Sequence, residues 1–558
     1  MNKTLNLCLL LFILSIQLCK AQTPFLKKSN NTTQLIVDNK PYIILGGELG
    51  NSTATSMANM ESVWPKLKAL NLNTVLVPVY WELIEEEQGK FDFSLIEQLI
   101  AEARNSNLKI VFLWFASWKN SMSSHAPEWV KLNQKKYPRV KDDKNISQEI
   151  LTPFSVNNLN ADLVAFENFM RFIKDFDSKE HTTIMVQVEN EIGMLPTARD
   201  YHPLANEAFK KEVPKALISY LQKNKTKLVP EFYAVWEKQG FKTSGNWETI
   251  FGKGLHTDEI FMAWYFSKFT NKITKAGKAI YPLPMYVNAA LNSSKKIPGN
   301  YPSAGPLPHI IDVWKAAGPD IDFYSPDYYN PDFKHWNDLY TRQGNPLFIP
   351  EHRFDDTVAA KAMYAIGHYE AMGFCPFSVE SKDIITAENM GDTGFSDVSN
   401  NNSITTEPLA KMYDLINQLT PVISDKKKIK NIDAVLLNKE NSETKIVMGQ
   451  YEFTLRHDYT LNWSPNAKDD SWPFTSVVLI ETEKGEFFIA GSGVVVTCKN
   501  AKNPSLNTGI LSDEEGYFKN NKWIVSRYLN GDQTHQGRHI RIPFDTYSIQ
   551  KFELYTYK

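Results

Sequence analysis

The sequence is short of cysteine and carries no excess charge of either sign. Of its four cysteines, Cys8 and Cys19 fall in an N-terminal leader, and Cys375 and Cys498 stand far apart, so no disulfide framework holds the fold. Lys plus Arg number 61 against 63 Asp plus Glu, a balance that gives no electrostatic reason to expect nucleic acid or an anionic membrane as partner. HExxH, GxxxxGK and paired CxxC are missing, which removes the ligand sets of a zinc protease, a P-loop and a zinc ribbon. The eleven histidines are scattered, and neither a metal nor another cofactor is expected. The apolar run from about Leu7 to Leu18 is too short to span a bilayer, so no membrane span is expected. Preceded by Lys3 and followed by Cys19-Lys20-Ala21, that run reads as a secretory signal over residues 1–21, cut after Ala21, for a secreted or periplasmic protein. Leu18 is bulky where a lipidation signal carries a small residue, so a lipid anchor on Cys19 is not expected.

What is present is length, aromatics and a repeating pattern. A chain of 558 residues exceeds one ordinary core, and 12 % aromatics with 13 Trp suit either large cores or the stacking of flat sugar rings. From Tyr42 to about Thr420, short apolar runs alternate with segments of helical period. The runs are YIILGGEL (42–49), TVLVPVYW (74–81), KIVFLWFA (109–116), TIMVQVEN (183–190), MYVNAAL (285–291), IDFYSPDYY (321–329), PLFIPEH (346–352) and CPFSVES (375–381). Eight βα units imply a (β/α)8 TIM barrel over 22–423. Met194 to Pro284 is longer than one unit needs and reads as an insertion over the barrel top, with helices in ANEAFKKEVPKALISYLQKN and DEIFMAWYFSKFTNKITKAG. The charge run SDKKKIK (424–430) reads as a linker, and 431–558, with alternating strands and glycine turns, as an antiparallel β-sandwich.

Barrels of this type work at the C-terminal ends of their strands. VQVENEIGM (186–194) ends in acidic residues. On simple alternation Gln187, Glu189 and Glu191 share one side of strand 4, while Leu347, Ile349 and Glu351 share one side of strand 7. Each strand thus delivers a glutamate, Glu191 or Glu351, to the rim. Two carboxyl groups facing one pocket are what glycoside cleavage needs: one protonates the departing oxygen, and the other attacks or stabilises the sugar carbon. The rival reading is a rim salt bridge, for which Arg353 stands near Glu351.

VENEIGM resembles the strand-4 motif of the clan of retaining glycosidases built on (β/α)8 barrels. More narrowly, DNKPYIILGGELGN, VYWELIEEEQGKFDFS, QVENEIG and IPEHRFD resemble family 35 β-galactosidases, and LNGDQTHQGRHIRIP resembles the extra C-terminal domain of their bacterial branch. The resemblance implies that Glu191 is the acid/base, Glu351 the nucleophile, and Asn190 a hydrogen-bond partner of the sugar 2-hydroxyl. Glu191 is then expected to have a raised pKa and Glu351 to stay ionised, with Glu189 structural and held by Arg or Lys. Glu48, Tyr80, Trp81, Glu82, Trp114, Trp118, Asp327, Tyr328 and Glu380 are candidates for sugar binding, Tyr328 also for a hydrogen bond to the nucleophile. One departure stands out: where the usual family carries Cys-Ala-Glu-Trp after strand 3, this chain reads Ala116-Ser117-Trp118-Lys119-Asn120, without the galactose-gripping carboxylate. The expectation is an exported retaining β-glycosidase, β-galactosidase-like and exo-acting on plant or algal oligosaccharides. The alternatives are a β-glucosidase, β-xylosidase or other β-glycosidase, or a catalytically silent carbohydrate-binding protein.

Overall fold

The computed structural model describes residues 22–29, 32–291, 296–329, 331–381, 406–425 and 427–558; the expected signal, 1–21, lies outside them. Eight parallel strands close into a barrel in chain order: β1 (Ile44–Glu48), β2 (Thr74–Tyr80), β3 (Lys109–Lys119), β4 (Thr183–Asn190), β5 (Met285–Ala290), β6 (Phe323–Tyr328), β7 (Ile349–His352) and β8 (Gly373–Pro376). All eight expected strands are present. β8 begins two residues before the expected run and stops at Pro376, so Glu380 stands in the turn beyond the strand rather than on it.

Side-chain alternation sorts the strands' apolar residues into two cores. Ile44, Leu76, Val111, Leu113, Met185, Tyr286, Phe323, Phe348 and Cys375 fill the barrel interior. Leu45, Val77, Phe112, Trp114, Val186, Val188 and Ile349 pack outward on the helices. The interior is tight enough that a Cβ on Gly46 would lie 2.5 Å from Cys375 Sγ. A three-stranded antiparallel sheet (Phe25–Ser29, Thr32–Val37, Lys40–Tyr42), not anticipated from the sequence, adds Leu35 and Val37 to that interior core and so packs at the N-terminal mouth.

Between β3 and β4 runs the helix Val156–Asp177, capped by Ser155, whose Oγ accepts from Asn158 N. Leu159, Phe166, Phe169, Met170 and Ile173 form its buried stripe, and Asp162 stands in the same stripe. The insertion differs from expectation. ANEAFKKEVPKALISYLQKN forms two helices, Pro203–Lys210 and Lys215–Asn224, separated around Pro214, which cannot supply a helical N–H. DEIFMAWYFSKFTNKITKAG belongs to a 26-residue helix, Leu255–Ile280, that packs on Val156–Asp177 and fills the fourth helical place of the barrel.

Beyond the helix Glu407–Ile423, residues 431–558 form a six-stranded and a four-stranded antiparallel sheet that share a core including Val435, Phe453, Val477, Phe487, Val496 and Phe552. The alternate residues Ala434, Leu436, Val478, Ile480, Phe488 and Ala490 join the core of the barrel's helices. The strands Asn431–Leu437, Thr475–Glu483 and Glu486–Ser492 of the six-stranded sheet are therefore buried on both faces, which is why AVLL and SVVLI read as continuous apolar runs. The stretch expected as a linker, 424–430, comes between the helix Glu407–Ile423 and the strand Asn431–Leu437. The barrel helix Val358–His368 lies against this sheet at Gly367, where a Cβ would approach Ala434 Cβ to 2.6 Å and Val478 Cγ2 to 3.0 Å. Gly367→Val is expected to destabilise the protein by about 1–3 kcal/mol through overpacking. Chemical denaturation checks this, and unchanged stability would contradict the packing described.

Candidate active site

The C-terminal mouth of the barrel is built from the ends of β1, β3, β4, β6 and β7. Glu48 follows Ile44 and Gly46 along the inward row of β1, and Asp327 follows Phe323 and Ser325 along that of β6. Glu191 and Glu351 arrive differently. Val186 and Val188 face the helices, yet Glu189 does too, because Glu189 and Glu191 have φ of 61° and 45°. These left-handed residues break the alternation and turn the next side chain inward. On β7, Leu347 and Ile349 also face the helices; a register shift between Ile349 and His352 turns Glu351 inward and sets it beside Asp327. The simple alternation expected for both strands is thus corrected: each glutamate reaches the mouth through an irregularity.

Glu191, Asp327 and Glu351 each place a carboxyl oxygen within 4.8 Å of the others, and all three are buried. Glu48 joins them. Burial, then the neighbouring Glu351, raise the Glu48 carboxyl well above the usual range; it remains protonated and donates to Glu351. Asp327 is raised likewise, by burial, Glu351, Glu191 and Glu48. Its Oδ2 accepts from Asn288 Nδ2 at 2.6 Å, and its Oδ1 has no N–H or O–H partner, so the proton it retains is available to Glu191. Glu351 is pushed up to about 7 by burial and by Glu191, against the lowering effects of Lys119, a Tyr329 O–H bond to Oε1 and the Glu48 bond. The Glu351 expected to stay ionised thus shares its pocket with three other carboxyl groups. Asn120 Nδ2 donates to Glu191 Oε2, Asn288 Oδ1 accepts from Glu191 N at 2.9 Å, and Lys119 is buried with its Nζ 4.9 Å from the Phe115 ring centroid. Tyr286, with a buried, unpartnered hydroxyl in the barrel interior, lies beside Glu48, Asp327 and Glu351, and burial raises its hydroxyl well above the usual range.

Asn190 is fully buried, and neither its Oδ1 nor its Nδ2 has a partner, an arrangement costly unless a ligand completes it. Glu189 is not held by Arg or Lys. Its Oε2 accepts from Trp118 N at 2.9 Å, and burial plus the adjacent Asp162 keep it protonated, so that Oε1 carries the proton shared with Asp162. Asp162 also accepts from Trp114 Nε1 and Ser117 Oγ.

The other expected sugar-binding residues are occupied elsewhere. Trp81, Trp114 and Trp118 lie in the outer core; Trp81 Nε1 donates to Glu85, and Trp118 meets Phe266 and Phe269 edge-on. Glu82 pairs with His125 and Lys131, each at 2.7 Å, which hold its carboxyl down at about 2. Tyr80 donates to Asn51 O at 2.6 Å, while Glu380 accepts from Gly50 N and Thr53 Oγ1. Tyr328 points outward to Asn337, and the tyrosine on the Glu351 carboxyl is Tyr329. Period-two alternation from Phe323 through Ser325 and Asp327 marks Tyr329 as inward, a signal present in the sequence. Lys119, Asn120 and Asn288 carry no comparable signal. Glu191, Asp327 and Glu351 could surround a divalent cation with oxygen ligands; the same oxygens are also suited to proton transfer.

Fold and mouth define a (β/α)8 barrel with acidic side chains clustered at the C-terminal ends of its strands. Residues 409–541 match the model of a domain described only as a domain of unknown function (DUF5597). Over 82 residues the chain is 35 % identical to a β-galactosidase of Xanthomonas manihotis, a stretch that spans 14 % of either chain. Crystal structures of β-galactosidases from the psychrophilic Marinomonas ef1 and from Rahnella sp. R3 superpose with TM-scores of 0.42 and 0.44 at 12 % and 14 % identity, covering 68 % of this chain and 60 % and 57 % of theirs. The catalytic domain of a Paenibacillus polymyxa β-amylase does so at 0.43 and 13 %, over 67 % of this chain and 97 % of that one. Neither the short identical stretch nor superpositions of this quality assign an activity.

Glu189→Gln, whose amide donates where the acid proton did, is expected to alter stability by less than about 1 kcal/mol. Glu189→Ala, which strands Asp162 and the Trp118 amide, is expected to cost about 1–3 kcal/mol. Comparable losses in thermal melts of the two would contradict the shared proton.

Proposed function

We propose that the protein is an exported retaining β-glycosidase, β-galactosidase-like and exo-acting on plant or algal oligosaccharides, with Glu351 as nucleophile and Glu191 as acid/base. The observation that carries this reading is the approach of Glu191 and Glu351 oxygens to within 4.8 Å across one buried pocket. Retaining glycosidases hold their two carboxyl groups about 5–5.5 Å apart, whereas inverting ones need about 6.5–9.5 Å to admit a water. In the first step Glu351 attacks the anomeric carbon while Glu191 gives its proton to the leaving oxygen; in the second, Glu191 takes a proton from water, which displaces Glu351. The unpartnered amide of Asn190 supports a hydrogen bond to the sugar 2-hydroxyl. No helix among the described residues is long and apolar enough to cross a membrane. Galactose rests on the resemblance alone, since the run Ala116-Ser117-Trp118-Lys119-Asn120 lacks the gripping glutamate that the family carries after strand 3.

Turnover of an aryl glycoside panel, with the anomer of the first-formed sugar read by NMR, tests the reading; an inverted product, or activity abolished by EDTA and restored by a divalent cation, would overturn it. Glu351→Gln is expected to abolish turnover. Glu191→Gln is expected to slow natural glycosides by about 10²- to 10⁴-fold while sparing activated aryl ones; equal damage to both would reverse the assigned roles.

The active form requires ionised Glu351, so kcat/KM should fall as pH drops through about 7. Tyr329 and Lys119 both favour that ion. Tyr329→Phe or Lys119→Met should therefore move this acid limb to higher pH, and an unmoved limb would show that neither acts on Glu351.

A further inference from the structure

The outer face of the four-stranded sheet in the second domain carries a cluster that the barrel chemistry does not use. Arg456 on Tyr451–His457 and Arg541 on Ile540–Ile542 pair across Val495, which lies between them. They therefore share a row about 10 Å wide, on the face opposite Leu455, Val494, Val496, Ile540 and Ile542 of the sandwich core.

The two arginines differ in occupation. Arg541 donates through Nε and Nη2 to Asp458 at 2.6 and 3.1 Å, and its guanidinium lies 4.7 Å from the centroid of the Trp463 ring. Arg456 has a buried Nε with no acceptor, and Glu443, opposite it on the neighbouring strand, forms no ion pair with it among the described residues. Trp463 is held by Arg541 yet remains 51 % exposed. His535 and His539 stand 5.7 and 6.0 Å from its ring and stack on each other at 5.4 Å. Burial, then the neighbouring cations, bring His539 down to about 4, so it is neutral, and its buried Nε2 has no partner.

Each vacancy has a matching chemistry. An open indole complements the C–H face of a pyranose ring, an unpaired guanidinium takes a carboxylate or sulfate, and a neutral imidazole nitrogen takes a hydroxyl. We propose that this face binds an acidic sugar residue, a uronate or a sulfate ester, stacked on Trp463 with its anionic group at Arg456. One open indole and one unpaired arginine do not make the basic groove and successive stacking platforms that track a polynucleotide. The site would hold the chain on an acidic glycan whatever the barrel cleaves.

Calorimetric titration of the full chain with oligogalacturonate, sulfated galacto-oligosaccharide and neutral galacto-oligosaccharide of matched length tests this. One acidic ligand is expected to bind at least about tenfold tighter than the neutral one, and which one distinguishes carboxylate from sulfate. Trp463→Ala and Arg456→Gln should each weaken that binding about tenfold while melting normally and leaving turnover of a small aryl glycoside unchanged. Because binding is read apart from turnover, it stands or falls independently of the barrel's activity. Equal affinity for the neutral ligand, no binding of any of the three, tighter binding of an oligonucleotide, or wild-type binding by both variants would overturn the proposal.

Discussion

Four carboxyl groups buried together around one lysine set the terms for the rest of the molecule. Ionised carboxylates cannot all share a water-poor pocket, because each charge loses its hydration and repels the others. Two therefore keep their protons. Glu48 becomes a hydrogen-bond donor to Glu351 and Asp327 offers its proton toward Glu191, so residues that look like further anions act as donors in the pocket. Lys119, Tyr329 and Asn120 supply the rest of the compensation. The same logic recurs one layer out, where Glu189 and Asp162 share a proton behind the mouth.

Placing the charges there requires the strands to depart from regularity. A perfect strand would send Glu351 to the same side as Leu347 and Ile349, against the helices, and would leave Glu189 beside Gln187. Left-handed backbone at Glu189 and Glu191 and the register shift on β7 redirect single side chains without disturbing the apolar rows before them. Those rows are packed hard: Gly46 lies against Cys375, and Tyr286, Phe323 and Phe348 meet ring to ring beneath the pocket. A dense floor of this kind fixes the orientation of what stands on it.

The second domain extends that rigidity. Its six-stranded sheet gives one face to its own sandwich and the other to the barrel's last helices, and His368 reaches Asp433 across the contact at 2.5 Å. The outer face of its other sheet is left for different work, with charges and an indole where a packing face would be apolar.

Sequence alone determined the architecture, because it rests on short-range periodicities that are local in the chain: eight apolar runs, the helical stripes between them, and the change to alternation after residue 430. It also singled out Glu191 and Glu351, since acidic residues closing apolar strands are rare enough to notice. It misread Trp81, Trp114 and Trp118, whose apolar rings fit a core as well as a sugar, and it stopped at Tyr328, one residue short of Tyr329. The capping sheet at residues 25–42 went unseen because its strands are short and only half buried. Tertiary structure alone decided which carboxyls hold protons, which faces the bulged residues take, and that Lys119 and Asn120 serve the pocket. Each of these depends on charges and backbone brought together from positions far apart in the chain, where no local pattern can record them.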